Sequence, residues 1–227
     1  MKNIQIALDG PSGAGKSTMA RHVANMLKIL YLDTGAMYRA LALKCIRNGI
    51  ETKQMNSVYS LMLDTTIDVM YIDGGQHMFL DGKDVTMEIR TNEVSMGASN
   101  VSAHQNVREK MVAMQQNIAA NKNVIMDGRD IGTKVLPNAP IKIFLTATSE
   151  DRARRRFLEL QAKGDHSKIF EDVLEELKER DWNDTHRKHS PLKQASDAIC
   201  VDTTDLSLEA ATDKIVSIIK DKINSMI

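Results

Sequence analysis

The sequence predicts an α/β fold in which a parallel five-stranded sheet is flanked by helices, and three observations carry the prediction. Five short apolar runs, at residues 4–8, 30–32, 123–126, 141–145 and 198–201, have the length and unbroken hydrophobicity of strands covered on both faces. Amphipathic stretches with apolar residues at helical spacing separate several of them. One further stretch, near residues 66–85, reads as a small antiparallel insertion.

The run at 4–8 leads through a glycine-rich segment into a helix beginning around Ser17, and the run at 30–32 leads into a second helix. Within 66–85 the order is strand, an Asp73-Gly74-Gly75 turn, strand, an Asp81-Gly82 turn and a short third strand. Val107, Met111, Met114 and Ile118 then recur at helical spacing, as do Leu208, Ala211, Ile215, Ile218 and Ile219 near the end, and both sets are expected to face the core. Ser149 followed by Glu150 and Asp151, and Ser207 followed by Glu209, put a capping hydroxyl and acidic first turns where helices should start. No repeat, low-complexity run or proline-rich linker divides the chain, so residues 1–227 are read as one domain carrying the insertion as a lobe.

Composition narrows the function. With 227 residues, 30 basic and 30 acidic, the chain has no net field that would favour nucleic acid or an anionic membrane as its main partner. The two cysteines, Cys45 and Cys200, form no CxxC pair and read as reduced, buried packing residues of a cytoplasmic protein. The opening MKNIQIALDG lacks the long apolar segment of a signal peptide or membrane span. Fourteen methionines read as adaptable core filler.

The strongest motif is Gly10-Pro11-Ser12-Gly13-Ala14-Gly15-Lys16-Ser17, which fits GxxxxGK[ST] and lies between a predicted strand and a predicted helix. Its glycines let backbone N–H groups turn toward phosphate oxygens; Lys16 brings a cation to the β/γ-phosphates, and the Ser17 hydroxyl can ligate Mg²⁺. A P-loop NTPase fold that binds a nucleotide with Mg²⁺ is therefore expected, and the loop alone does not separate ATPases, GTPases and small-molecule kinases, which share it. The role of Asp9, just before the loop, is left undecided. A guanine-nucleotide switch is disfavoured, since Asn121-Lys122-Asn123-Val124 carries valine where the base-reading carboxylate of NKxD belongs.

Two more segments follow strand ends: Asp33-Thr34-Gly35-Ala36-Met37-Tyr38-Arg39 and Asp127-Gly128-Arg129-Asp130-Ile131-Gly132-Thr133. In open parallel sheets ligands bind at the carboxyl ends of strands. Arg39 and Arg129 then have a purpose, because unit charges about 4 Å apart repel by about 4 kcal/mol at an effective dielectric near 20, and guanidinium groups offset this while fixing phosphates in two places. Asp127 has two open roles, ordering water around Mg²⁺ or capping the following turn.

Arg152, Arg155 and Arg156 share one face of the helix starting near Ser149. Without aromatic interleaving they are read as a mobile lid that closes over the donor phosphates rather than as an RNA surface. Arg180, Asp184 and Arg187 form one ridge if their helix continues, which by spacing alone is an ordinary salt-bridged helix end. The six histidines show no metal-ligand spacing. No general base is evident, and none is needed when the acceptor is an ionised phosphate oxygen.

Taken in order, GPSGAGKST, LDTGAMYRA, EIRTNEVS, VRE, DGRDIGT, LPNAPIKIFL, ERDWNDTHR and SPL resemble the bacterial cytidylate kinases along nearly the whole chain. The resemblance implies transfer of the γ-phosphoryl of ATP to CMP and dCMP, a CMP-binding insertion at about 62–100, a lid at about 150–168, and residues Gly10 to Thr18 as the ATP-holding loop. It implies Arg39, Arg129 and Arg187 as ligands of the CMP phosphate, Tyr38 and Thr34 lining that pocket, Ser99, Arg108 and Asp130 as cytosine readers, and Arg180 and Asp184 at the sugar. Ser17 and Thr34 replace glycine and serine of some members and keep or add a hydroxyl. A monomer acting on CMP, dCMP and ATP, with no nucleic acid and no membrane, is the resulting expectation. The alternatives are a kinase of another small acceptor and, more remotely, a nucleotide-dependent RNA-binding protein.

Overall fold

A computed structural model describes residues 3–162 and 164–225; residues 1, 2, 163, 226 and 227, which the domain range 1–227 and the lid range 150–168 include, lie outside the described residues. Among the described residues, eight strands and eight α-helices follow one another: β1 (Gln5–Asp9), α1 (Lys16–Leu27), β2 (Leu30–Asp33), α2 (Thr34–Arg47), α3 (Met55–Leu63), β3 (Ile67–Ile72), β4 (Gly75–Leu80), β5 (Lys83–Asp84), α4 (Asn92–Val101), α5 (Gln105–Ala119), β6 (Val124–Gly128), β7 (Ile141–Thr146), α6 (Ser149–Ala162), α7 (Phe170–His186), β8 (Ile199–Asp202) and α8 (Leu208–Asn224).

The predicted five-stranded sheet is present, in the order β2-β6-β1-β7-β8. β1 lies parallel to β6, with Gln5 opposite Val124 and Asp9 opposite Gly128, and parallel to β7 on its other side; β7 is parallel to β8. The inner strands β1 and β6 are apolar because both of their faces are buried. Ile6, Leu8, Ile125, Ile143, Leu145 and Val201 pack with Met19, Ala20 and Val23 of α1 and with Ala211, Ile215 and Ile219 of α8. Fully burying one such aliphatic side chain contributes about 2 kcal/mol. Four strands of the main sheet extend past their apolar runs to end on a carboxylate or beside one, at Asp9, Asp33, Asp127-Gly128 and Asp202.

The antiparallel insertion is β3-β4-β5. Ile72 pairs with Gly75, leaving a two-residue turn at Asp73-Gly74 with positive φ at both positions, 51° and 76°. The second turn, Asp81-Gly82, repeats this at 49° and 78°, the backbone that matches the twist of a tight hairpin.

The chain forms two compact units: one comprises the chain up to Tyr31, Asn121–His186 and the chain from Ser190 onward, the other Leu32–Ala120 and Arg187–His189. The second unit is wider than an insertion at 62–100, because α2 packs on α4, α3 on α5, and β4 on α2.

Several expectations are corrected. Cys45 is buried, but Cys200 is exposed on β8, the edge strand of the main sheet. Burial pushes the Cys45 thiol up to about 11. Helix α7 stops at His186, so Arg187 does not extend the ridge of Arg180 and Asp184. The α6 start is capped by Thr148, whose Oγ1 accepts from Asp151 N at 3.3 Å, whereas Ser207 does cap α8, accepting from Ala210 N at 3.1 Å. Leu208 is exposed, being too close to that cap to reach the core. Helices α3 and α4 and the π-turn Ile131–Val135 were not placed by periodicity, since they are short or rich in serine, asparagine and glycine.

Candidate active site

In the first unit, residues 10–15 connect β1 to α1. Gly10 has φ +152°, and a Cβ there would lie 2.2 Å from the Leu145 carbonyl oxygen, so only glycine lets the loop leave the strand this closely. Gly15 stands at the N-cap of α1 and provides no side-chain cap, leaving the first-turn amides to an anion or water. Lys16 is 6 % exposed, and its Nζ donates to Pro11 O at 2.6 Å. Burial, followed by the positive charge of Arg129, pulls its proton affinity well below the ordinary lysine value, and Arg180 adds to this, while Asp127 and Asp184 oppose.

Ser17 Oγ donates to Asp127 Oδ2 at 2.7 Å, and the Tyr31 hydroxyl donates to Asp127 Oδ1 at 3.1 Å. Both carboxylate oxygens of Asp127 are thus engaged by side chains of the loop helix and of β2. Asp9, undecided by sequence, accepts from Ile131 N at 2.8 Å and from Gly132 N at 2.7 Å, tying the strand before the loop to the DGRDIGT turn. Burial raises its pKa from 3.8 to about 6, against the lowering pull of those two amides. The native state therefore holds a proton that the unfolded chain loses between pH 3.8 and about 6. This group's contribution to stability falls as pH rises across that window and is constant above it. Carbon-13 NMR of the Asp9 carboxyl should show a midpoint near 6; a midpoint below 4.5 would overturn the assignment (about the ordinary aspartate range).

Arg129 Nε donates to Asp184 Oδ2 at 2.8 Å and its Nη1 donates to Gly128 O at 3.3 Å. Burial works against its charge, but Asp184 overrides this and raises its proton affinity. Asp130 is buried in the same turn.

The arginines of α6 are not an unpaired cluster. Arg152 is 4 % exposed and donates to Ala147 O at 2.9 Å, to Ser12 O at 2.9 Å and to Ser149 Oγ at 3.2 Å, and it is ion-paired with Asp181 at 2.6 Å. Its backbone also lies against Gly13, where a Cβ would meet Arg152 Cβ at 3.1 Å and its carbonyl oxygen at 3.2 Å. Arg152 is thus a strut onto the phosphate loop. Arg155 donates to the Thr203 carbonyl at 2.6 Å and pairs with Asp151 at 2.5 Å, and Arg156 pairs with Glu159 at 2.9 Å. The acidic first turn of α6 and its neighbours supply partners that arginine spacing alone does not reveal.

In the second unit, Asp33 Oδ1 caps α2 by accepting from Ala36 N at 2.9 Å, and Asp33 Oδ2 accepts from Arg39 Nη2 at 2.7 Å. Burial works to raise the Asp33 pKa, but Arg39 and the cap hold it below the usual carboxylate range. Thr34 is buried at the start of α2. One helical turn on, the buried Tyr38 ring lies under the Arg108 guanidinium, 5.6 Å from ring centre, a cation–π contact. Arg108, 3 % exposed, donates to Ser102 O at 3.1 Å, Ser102 Oγ donates to Ser99 O at 2.9 Å, and Arg187 Nη1 reaches Ser102 Oγ at 3.5 Å. Ser99, Arg108 and Arg187 therefore converge on Ser102, the C-cap of α4, and Tyr38 joins them through Arg108.

Sequence reasoning missed Tyr31, Asp33, Ser102 and Asp181 as site residues. The available signals were weak: Asp33 ends a strand run, and Ser102 follows Ser99 by three residues.

The family model described as cytidylate kinase matches residues 6–221. A curated cytidylate kinase of Caldicellulosiruptor bescii is 51 % identical over 218 residues, covering 96 % of each chain, and one of Lysinibacillus sphaericus is 49 % identical over 221 residues, covering 97 % of this chain and 98 % of that one. Among solved structures, an uncharacterized protein from Eubacterium ventriosum covers 97 % of this chain and 99 % of its own with a TM-score of 0.56 at 15 % identity, a likeness of fold. Matched by that model and by relatives near half identical over almost their full length, the chain belongs to the cytidylate kinase family.

Proposed function

We propose that this protein transfers the γ-phosphoryl of Mg·ATP to CMP, and to dCMP, giving the diphosphate and ADP. The phosphate loop carries the reading: a buried lysine, uncapped helix amides and a serine–carboxylate pair stand together at the end of a parallel strand. The loop residues Gly10 to Thr18 hold the ATP phosphates, with the Lys16 ammonium at the β/γ oxygens. Ser17 Oγ and Asp127 Oδ2, 2.7 Å apart, are hard oxygen donors that fit a Mg²⁺ arriving with the nucleotide, and among the described residues no group of three or more His, Cys, Asp or Glu could hold a metal by itself. When bound, that ion neutralises charge across the β- and γ-phosphates.

The chain's own residues do the rest. Asp184, bound to Arg129 Nε, orients that guanidinium so that its remaining nitrogens face anionic oxygen. Arg39 and Arg187 join it as ligands of the CMP phosphate, with Thr34 and Tyr38 lining the pocket. Ser99, Arg108 and Asp130 read cytosine; Arg180 and Asp184 contact the sugar. Residues 62–100 are assigned as the CMP-binding insertion and 150–168 as the lid, within one catalytic domain. Arg155 supplies charge from α6, and Arg152 steadies the loop that holds the phosphates. No base is required, because the CMP phosphate is already an ionised nucleophile.

A cytoplasmic monomer without nucleic-acid partners is the proposed form: the balance of 30 basic and 30 acidic residues offers nucleic acid no general attraction, and two free cysteines suit a reducing compartment. No helix among the described residues is long and apolar enough to cross a membrane.

A coupled ADP-release assay with Mg·ATP against CMP, dCMP, UMP, AMP and shikimate, with an acceptor-free control, tests the reading. CMP and dCMP should exceed AMP and shikimate by at least about 100-fold in kcat/KM, as expected of a pocket whose buried polar groups pair only with the right base. Turnover confined to another acceptor would overturn the base assignment, and no turnover at all would favour nucleotide-dependent binding.

A further inference from the structure

The antiparallel sheet sends one side chain to the end of β2, where Asp33 holds Arg39 of α2. Gln76, half-buried on β4, meets the main chain of Asp33 with both ends of its carboxamide: Oε1 accepts from Asp33 N at 2.7 Å, and Nε2 donates to Asp33 O at 3.4 Å. This is the donor and acceptor pair that a neighbouring strand residue would offer, supplied by a side chain 43 positions away. Asp33 in turn divides its carboxylate, one oxygen on Ala36 N at the start of α2 and the other on Arg39 Nη2. Fixing the Asp33 main chain therefore fixes the carboxylate, and the carboxylate fixes the guanidinium.

Arg39 has few other constraints within this unit. Its Nε is buried without a hydrogen-bond partner, and its Nη1 passes close to Gly35, where a Cβ would approach it to 3.3 Å. A long side chain held at one nitrogen depends on that anchor for its direction.

We propose that Gln76 is a positioning residue for the acceptor phosphate: through Asp33 it aims Arg39, so that the antiparallel sheet sets the affinity for CMP without touching it. The inference rests on the reading of Arg39 as a ligand of the CMP phosphate. Gln76 and Asp33 act in series, so their losses should not add. Asp33→Asn keeps an oxygen for the α2 cap but sets an amide N–H where Oδ2 accepted from Arg39, so both the negative charge and the hydrogen bond facing Arg39 are lost.

Steady-state kinetics of the full chain, with CMP and ATP varied in turn, decide it. Gln76→Leu should raise KM for CMP about tenfold, short of the roughly hundredfold effect of a 1 Å misplacement, with KM for ATP and kcat at saturating CMP within about twofold of the parent. Asp33→Asn should raise KM for CMP at least as much, and the double variant should match Asp33→Asn alone. Hydrogen exchange at the Asp33 amide should accelerate in Gln76→Leu. If that variant fails to fold, Gln76→Met, unbranched and equally long, carries the same expectations. Equal changes in both KM values, an unchanged KM for CMP, or an additive double variant would overturn the relay. A parent enzyme inert toward CMP would instead sink the proposed function.

Discussion

Lys16→Ala should lower kcat for CMP phosphorylation by about 10³-fold, the loss expected when a preorganised charge at a developing anion is removed from a site shielded from water. The Nζ rests on the neutral Pro11 carbonyl, a weaker partner than a phosphate oxygen, so the interaction that strengthens is the one made during transfer. The stability effect should be small or favourable. Burial and Arg129 together outweigh Asp127 at this ammonium, so removing it relieves a charge the folded state holds at a cost. The ADP-release assay and a thermal melt test both halves: turnover within about tenfold of the parent would remove Lys16 from the phosphate site. A sharp fall in melting temperature would mean that the amine holds the loop together.

Arg129→Met should lower kcat/KM by about 10²-fold to 10³-fold, but with the opposite effect on stability. Arg129 is partly exposed and Asp184 nearly buried, with side-chain exposures of 19 % and 7 %, and Asp184 raises the arginine's proton affinity. Deleting the arginine removes a charged hydrogen bond from a carboxylate that stays buried, at about 2 kcal/mol after allowing for partial solvation. Urea denaturation followed by circular dichroism measures this directly. An unchanged midpoint would show that Asp184 finds equivalent partners, and unchanged kcat/KM would remove Arg129 from the phosphate machinery. The two variants together separate a charge that the fold tolerates from one that the fold uses.

The main sheet was legible because a parallel strand covered on both faces leaves an unmistakable apolar run, and the hairpins were legible because Asp-Gly pairs mark their turns. The phosphate loop was legible because its backbone allows almost no alternative residue, as the Leu145 oxygen beside Gly10 illustrates. What the sequence hid were pairings between distant segments. Arg152 looked like one of three free charges on a helix face, yet it reaches Ser12 and Asp181, 140 positions back along the chain in the first case. Asp33 and Ser102 looked like a strand end and a helix end, and gain meaning only from Arg39 on one side and Arg108 and Arg187 on the other. Whether Arg187 joins the ridge of Arg180 and Asp184 stayed conditional in the sequence, because periodicity cannot say where α7 stops.

The contrast between the two cysteines makes the molecule unusually easy to label. Cys45 is sealed inside α2 with its thiol pushed up to about 11, whereas Cys200 lies open on the outermost strand of the main sheet. Because only the thiolate attacks, a maleimide dye at neutral pH will mark Cys200 alone and leave the interior untouched. A single fluorophore can therefore be placed on the wild-type chain, opposite in sheet order to β2, without engineering a cysteine-free background first.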